Sequence, residues 1–350
     1  MANAADAPIM LTPGDPAGIG AEIALKAVQA GCHDFFLMDD VQRIESLSQR
    51  LNLNIPVTRI THPSAFNAAA EGLQVLDLNW STPPVAGRPD AANAGRIIAA
   101  IETGVEWAKN GTIAALVTNP IAKACLYEAG FAYPGHTEFL GALSQPVAGG
   151  PAMMLACDVL KVVPVTVHIP LVQVPQTVTT SIIVDKAKLV ASALKLYFGI
   201  ACPRIAVCGL NPHAGESGTM GNEDDAIIAP AVAALQKEGI AAAGPYPADT
   251  LFHQEARKSY DVVLGMYHDQ VLIPLKTLDF FGGVNITLGL DFVRTSPDHG
   301  TGFDIAGTGV AKPDSLIAAI ATARKMAQKM AQKTPPQTHG TSVSGNDACQ

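Results

Sequence analysis

The chain has 350 residues, 48% of them apolar and 15% charged, with a formal charge of −8 at neutral pH. That composition supports a large core and excludes global disorder. The acidic balance argues against broad nucleic-acid or anionic-membrane binding, both of which need basic surface; a small anionic substrate needs only a local cluster of Lys and Arg.

The opening stretch MANAADAPIMLTPGDPAG has no basic segment followed by a long apolar run, so it does not read as a secretory signal. The most apolar stretch, roughly 152 to 174, is interrupted by Asp158, Lys161, Pro164, His168 and Pro170, so no bilayer span is expected. Cys32, Cys125, Cys157, Cys202, Cys208 and Cys349 show no CxxC pairing and read as buried reduced thiols, which points to the cytoplasm.

Along the chain, β-rich apolar runs alternate with alanine-rich helical stretches. Strands are expected at 8–11, 34–38, 57–60, 74–78, 113–117, 152–156, 161–167, 204–208, 261–265 and 284–290. Helices are expected near 18–30, 91–109, 120–129, 185–198, 223–238 and 315–332. The alternation implies βαβ units, an α/β class and a mostly parallel sheet. From about Thr334 the sequence is polar and aperiodic and reads as a mobile tail after a folded region spanning 1–333. In this class ligands gather at the C-terminal ends of strands, so the loops that follow strands hold the candidates.

The first such loop, TPGDPAGIGAEI (12–23), is not GxGxxG; Pro13 and Pro16 read as fixing a turn, with a phosphate cradle as the weaker alternative. In GHTEFLGAL, His136 and Thr137 open a helix; Thr137 suits an N-cap, and a helix N-terminus accommodates an anion. His168, His213 and His268 each follow an apolar run, and they converge if those strands are neighbours. Three imidazoles suit Zn²⁺, Co²⁺ or Ni²⁺ with room left for substrate, although each alone reads equally as a polar residue closing a strand. Asp269 either orients His268 from behind or caps the helix that starts there. Lys276 and Arg294, with Asn285 between them, offer a point charge and a bidentate fork for phosphate or carboxylate; singly, each also reads as a surface charge. In SPDHGTGFDIAGTGVAKPDSL (296–316), the glycines let backbone approach a flat ligand, and Asp304 is a candidate for a ribose hydroxyl. No arginine lies close to Asp304 in the sequence, which mildly favours NAD⁺.

TPGDPAGIG, VTNPIAK, GHTEFL, GLNPHAGE, GPYPADTLF, MYHDQ, GVNITLGL and RTSPDHGTGFDIAG occur in that order between about residues 8 and 330. Together they resemble the 4-hydroxythreonine-4-phosphate dehydrogenase family of vitamin B6 synthesis. HGTGFDIAGTGVAKP is also similar to the cofactor loop of the isopropylmalate and isocitrate dehydrogenases, whose fold that family shares. The resemblance implies two α/β domains with a cleft between them and a chain that crosses from one to the other. It implies a divalent metal (Zn²⁺, Mg²⁺ or Co²⁺) on His168, His213 and His268, and a phosphorylated small-molecule substrate touched by His136, Thr137, Lys276, Asn285 and Arg294. It further implies NAD⁺ or NADP⁺ on His299, Gly300, Thr301, Asp304 and Gly307, and a homodimer with the metal site at the interface, one histidine coming from the partner. The implied reaction oxidises 4-phosphohydroxy-L-threonine to 2-amino-3-oxo-4-(phosphooxy)butanoate, which decarboxylates to 3-amino-2-oxopropyl phosphate on the way to pyridoxal 5′-phosphate. Asp249 and Asp269 are the candidate bases. The segment SGTMGNED departs from the family pattern and leaves room for a sister dehydrogenase acting on 4-phospho-D-threonate or 4-phospho-D-erythronate. Two other classes compete: a phosphate-handling acyltransferase on a related fold, and a non-catalytic binder of small anions.

Overall fold

The computed structural model describes residues 6–333; the tail expected from Thr334 lies outside the described residues. Contacts divide the chain into two compact units, one running to Pro146 and resuming over Phe281–Ala331, the other covering Val147–Phe280.

The first unit contains β1 (Ile9–Leu11), α1 (Gly20–Gln29), β2 (Phe35–Asp39), α2 (Val41–Arg50), β3 (Val57–Ile60), β4 (Leu73–Asp77), α3 (Ala94–Lys109), β5 (Ala115–Val117), α4 (Lys123–Glu128) and α5 (His136–Leu143). The second contains β6 (Ala152–Cys157), β7 (Leu160–Pro164), α6 (Val174–Thr177), α7 (Thr180–Phe198), β8 (Ile205–Cys208), α8 (Ala229–Lys237), β9 (Ala242–Tyr246), β10 (Val262–Gly265) and α9 (His268–Leu278). The chain then returns to the first unit as β11 (Val284–Leu288), β12 (Arg294–Pro297) and α10 (Asp314–Lys333).

Within the first unit the strand order is β3-β4-β2-β1-β5-β12-β11, parallel except for the β12–β11 pair. Within the second it is β6-β7-β10-β8-β9, parallel except for β6–β7. β1 (IML) and β2 (FFLMD) are buried at every position. That is what a parallel strand covered on both faces requires, and it explains their unbroken apolar runs. Each unit has its own core. In the first, Met10, Phe36, Ile97, Ile101 and Leu116 pack together; in the second, Leu155, Val162, Val263, Val271 and Leu275 do so.

Three elements were not expected from sequence. α2 is polar overall but buries Val41, Ile44, Leu47 and Ser48 on one stripe, and Asp40 caps it by accepting from the Arg43 amide at 2.7 Å. β9 pairs only with β8, and an outermost strand tolerates its Gly244-Pro245. β12 is buried at all four positions although its sequence is RTSP. Helix α7 also starts five residues before the expected 185, where Thr179 accepts from the Ile182 amide at 3.3 Å. Cys32, Cys125, Cys157 and Cys208 carry free thiols, whereas Cys202 is disulfide-bonded, contrary to the expectation for it. Among the described residues no helix is long and apolar enough to cross a membrane.

Candidate active site

In the second unit, β7, β10 and β8 are consecutive parallel strands, and His168, His268 and His213 follow their C-terminal ends in that order. Pairing continues past the strands: Val165 donates to Gly265 O at 2.7 Å, and Thr166 donates to Met266 O from its amide at 3.2 Å and its hydroxyl at 2.7 Å. This places the His168 and His268 ring centroids 6.0 Å apart beside a cavity lined by Val167, Ile169, Leu171, Val174, Tyr267 and Asp269. His268 Nδ1 is 2.6 Å from Asp269 Oδ1. A ring held through Nδ1 by a carboxylate presents Nε2, the arrangement of a metal ligand oriented from behind.

His213 occupies the left-handed region, with φ 52°, and so do Ala214, Gly215, Glu216, Ser217 and Gly218. Such conformations cost non-glycine residues on the order of 1 kcal/mol each and persist where neighbours fix them. Here the fixing group is Asp224, fully buried at the start of a π-turn. Its carboxylate accepts from the Leu210 amide at 2.7 Å, the Asn211 amide at 3.2 Å and Asn211 Nδ2 at 2.9 Å. Gln270 ties this loop to the end of β10, donating to Gly209 O and accepting from the Met266 amide, both at 2.7 Å. Small neighbours are therefore needed beside His213 because the backbone there coils the wrong way for bulky residues. Among the described residues, no cluster of three or more His, Cys, Asp or Glu side chains within the chain is placed to hold a metal ion. The chain thus supplies the His168–His268 pair without assembling the triad by itself.

Asp249 is exposed, in a short 3₁₀ turn that packs against the His213 turn. Lys276 lies in the last turn of α9, with Nζ 5.5 Å from the Phe280 ring centroid.

In the first unit, Arg294 is 2% exposed. Its guanidinium donates to Thr118 Oγ1 at 3.1 and 2.5 Å and to Thr287 Oγ1 at 2.9 Å. Among the described residues no carboxylate pairs with it. Burial pushes its pKa down to about 9, which marks a desolvated cation lacking a counter-ion. The β11–β12 register sets Asn285 opposite Ser296 and hence Thr287 opposite Arg294. Asn285 and Thr287 share a face by the two-residue period of a strand, and Asn285 Oδ1 is buried with no hydrogen-bond partner.

His136 is the first residue of α5, behind Gly135. Its Nε2 is also shut off from solvent with no partner. Burial, then the positive charges of Arg294 and Lys123, hold its pKa well below 6.5. The ring is therefore neutral at physiological pH. The folded value lies below the unfolded one, so the unfolded chain takes up the proton first as pH falls, and stability is lost below the unfolded value. Wild type should lose more stability than His136→Gln between roughly pH 7 and pH 5 in urea titrations; equal losses would show that the ring is not protected from protons.

The loop from His299 to Ala311 is docked on α1. Buried Glu22 accepts from the amides of Gly307 at 3.1 Å and Ala311 at 2.9 Å, while Lys26 donates to Gly309 O at 2.5 Å and Ala311 O at 2.7 Å. Thr301 O accepts from the Ile19 amide at 2.9 Å. His299 Nδ1 lies 2.9 Å from Gly300 O, and His299 Nε2 is buried without a partner. No atom lies within 4 Å of the position a Cβ on Gly300 would take. Asp304 is exposed. An unpartnered polar atom beside an open glycine fits a loop built to receive a flat ligand.

The sequence from residue 32 to 323 matches the family described as pyridoxal phosphate biosynthetic protein PdxA. The chain belongs to the PdxA family. It is 53% identical over 330 residues to a 4-hydroxythreonine-4-phosphate dehydrogenase from Caulobacter vibrioides, covering 92% of this chain and 98% of that one. It is 51% identical over 340 residues to the protein of that name from Methylorubrum populi, covering 95% and 97%. A crystal structure of 4-hydroxythreonine-4-phosphate dehydrogenase from Klebsiella pneumoniae superposes with a TM-score of 0.83 at 40% identity, covering 92% of this chain and all of that one. The chain is thus an oxidoreductase of the PdxA family, with the α/β, mostly parallel architecture read from its sequence.

Several local expectations for this PdxA chain need correction. Thr137 is not an N-cap: Gly135 holds that position and no side chain caps α5. Asp269 does not cap α9 either; Tyr267 is at the N-cap, and the Asp269 carboxylate is bonded to His268. The glycines of TPGDPAGIG serve packing rather than a phosphate. A Cβ on Gly14 would lie 2.6 Å from Pro120 O, and one on Gly18 would lie 2.7 Å from Thr301 O. Sequence reading passed over Asp224, Gln270, Thr118, Thr287 and Lys123. Lys123 stands in VTNPIAK and Asp224 in GNEDD, yet nothing local marks either one, because each acts on residues distant in sequence.

Proposed function

We propose that this protein is a metal-dependent, NAD(P)-dependent 4-hydroxythreonine-4-phosphate dehydrogenase of the cytoplasm, working as a homodimer. The observation that carries the proposal is the buried Arg294 guanidinium, without a carboxylate, beside a neutral His136 with an open Nε2. A cation kept out of water at that cost is complementary to an anionic group of the substrate.

Arg294 takes the phosphate or carboxylate as a two-pronged donor, with Thr118 and Thr287 holding its plane. His136, Thr137 and Asn285 complete the polar contacts, and Lys276 adds a point charge from α9. His168 and His268, with His213 of the partner subunit, hold the divalent cation; when bound it supplies Lewis acidity to the substrate alcohol and to the carbonyl that replaces it. Asp269 keeps His268 in one tautomer. It is committed to that bond, so Asp249 is the group left to take the hydroxyl proton. The loop from His299 through Gly300, Thr301 and Asp304 to Gly307 positions the nicotinamide cofactor, the hydride acceptor. Loss of CO₂ from the β-keto acid follows from its own chemistry once the carbonyl is polarised.

Purified protein supplied with a divalent cation, NAD⁺ and 4-phosphohydroxy-L-threonine should accumulate reduced nicotinamide and release CO₂. The absence of both would remove the reading. Asp249→Asn should lower kcat by roughly 10²–10⁴ with little change in substrate KM, the signature of a lost general base; an unaltered kcat would assign the proton to another group.

A further inference from the structure

We propose that Arg50 gives this enzyme its grip on the 2′-phosphate of NADP⁺, so that the 2′-phosphorylated cofactor is accepted. The inference rests on the reading of His299–Gly307 as the cofactor loop and deepens it. In the sequence, Arg50 is more than two hundred residues from Asp304, and nothing local associates the two. The fold brings them into one neighbourhood. Arg50 sits in the last turn of α2, and its Nη2 lies 3.4 Å from the position a Cβ on Gly307 would take. The next residue, Leu51, lies against Gly309 in the same way, with Cδ2 at 3.6 Å. The end of α2 is therefore one wall of the loop.

Arg50 is exposed, and among the described residues its guanidinium has no hydrogen bond or ion pair. The loop itself is fixed on its other side by Glu22 and Lys26, so it presents Asp304 and Gly307 as a set. Sites of this kind separate the two nicotinamide cofactors by a simple chemical difference. A carboxylate accepts from the ribose hydroxyls, whereas an arginine meets a 2′-phosphate with two parallel donors. Asp304 and Arg50 provide one of each. Lysine is a poor substitute in such a role because it lacks the planar fork.

The test uses the full-length enzyme and two readouts. Arg50→Gln should lower the ratio of kcat/KM for NADP⁺ to that for NAD⁺ by about tenfold or more. Calorimetry should show the same variant losing a comparable factor in affinity for adenosine 2′,5′-bisphosphate relative to adenosine 5′-monophosphate. Arg50→Lys should fall between. A ratio within about twofold of wild type in both measurements would overturn the assignment. Gly300→Leu separates the two levels of the argument. The fold has room for that side chain, but it would occupy the ligand's place and should raise KM for both cofactors. If Gly300→Leu affects neither cofactor, the loop is not the cofactor site and both readings fall. If it affects both while Arg50→Gln leaves the ratio alone, only the role of Arg50 falls.

Discussion

Replacing Arg294 with methionine should abolish useful turnover while leaving the protein as stable as before, or more so. The two effects have opposite signs because the guanidinium is held in reserve for a ligand. It is 2% exposed, contacts only the hydroxyls of Thr118 and Thr287, and has no carboxylate partner among the described residues. Transferring a lone charge from water to such a place costs several kcal/mol, and substituting an apolar side chain of similar length at a buried charge is often neutral or stabilising by about 1–4 kcal/mol. In the complex that same charge meets the substrate's anion in a desolvated setting, where removing one partner costs roughly 2–5 kcal/mol, or about 30-fold to several thousand-fold in kcat/KM. Arg294→Lys should recover little, since a point charge cannot span the two threonine hydroxyls and an oxyanion together. Activity and melting temperature measured on the same samples decide it. An Arg294→Met protein that melts much earlier than wild type would make the residue structural, and one with near-normal kcat/KM would place the anion elsewhere.

The broad architecture could be read from the sequence, and its errors have a common cause. β1, β2, β5, β8 and β10 are short runs of apolar residues buried on both sides, so composition alone reports them. β12 carries no such signal. It is RTSP, and its burial is compensated by partners at Thr118, Thr287 and the Ala319 carbonyl, all remote in sequence except Thr287. The strand that carries the key cation was therefore invisible to hydrophobic periodicity for the same reason that it is functional: its polar atoms are satisfied by tertiary structure. The histidines after β7, β8 and β10 were visible because chemistry at strand ends can be anticipated in a parallel sheet. Their supports were not. Asp224 holds the left-handed turn of His213 from outside the motif, and Arg50 reaches Gly307 only because α2, itself unrecognised, ends beside it.

His213→Asn should remove metal-dependent turnover, to below about a thousandth of wild type, while the circular dichroism spectrum stays the same. Asparagine is chosen because it tolerates the left-handed backbone that His213 adopts at φ 52°. Alanine would add a backbone penalty and blur the result. Titration with Zn²⁺ or Co²⁺ should show weakened binding in parallel with the lost activity. If the variant binds metal as wild type does and is inactive, His213 acts on the substrate and not on the ion.

The account's central claim is that the ion is held by His168 and His268 of one protomer and by His213 of the partner subunit. A mixed dimer built from one His213→Asn chain and one His168→Asn chain, carrying different affinity tags, tests it directly. Each parent homodimer lacks a ligand in both sites and should be inactive. In the mixed dimer, symmetry collects both lesions in one site and leaves the other complete, so it should show about half the wild-type turnover and bind one ion tightly. A mixed dimer as inactive as its parents would contradict the claim.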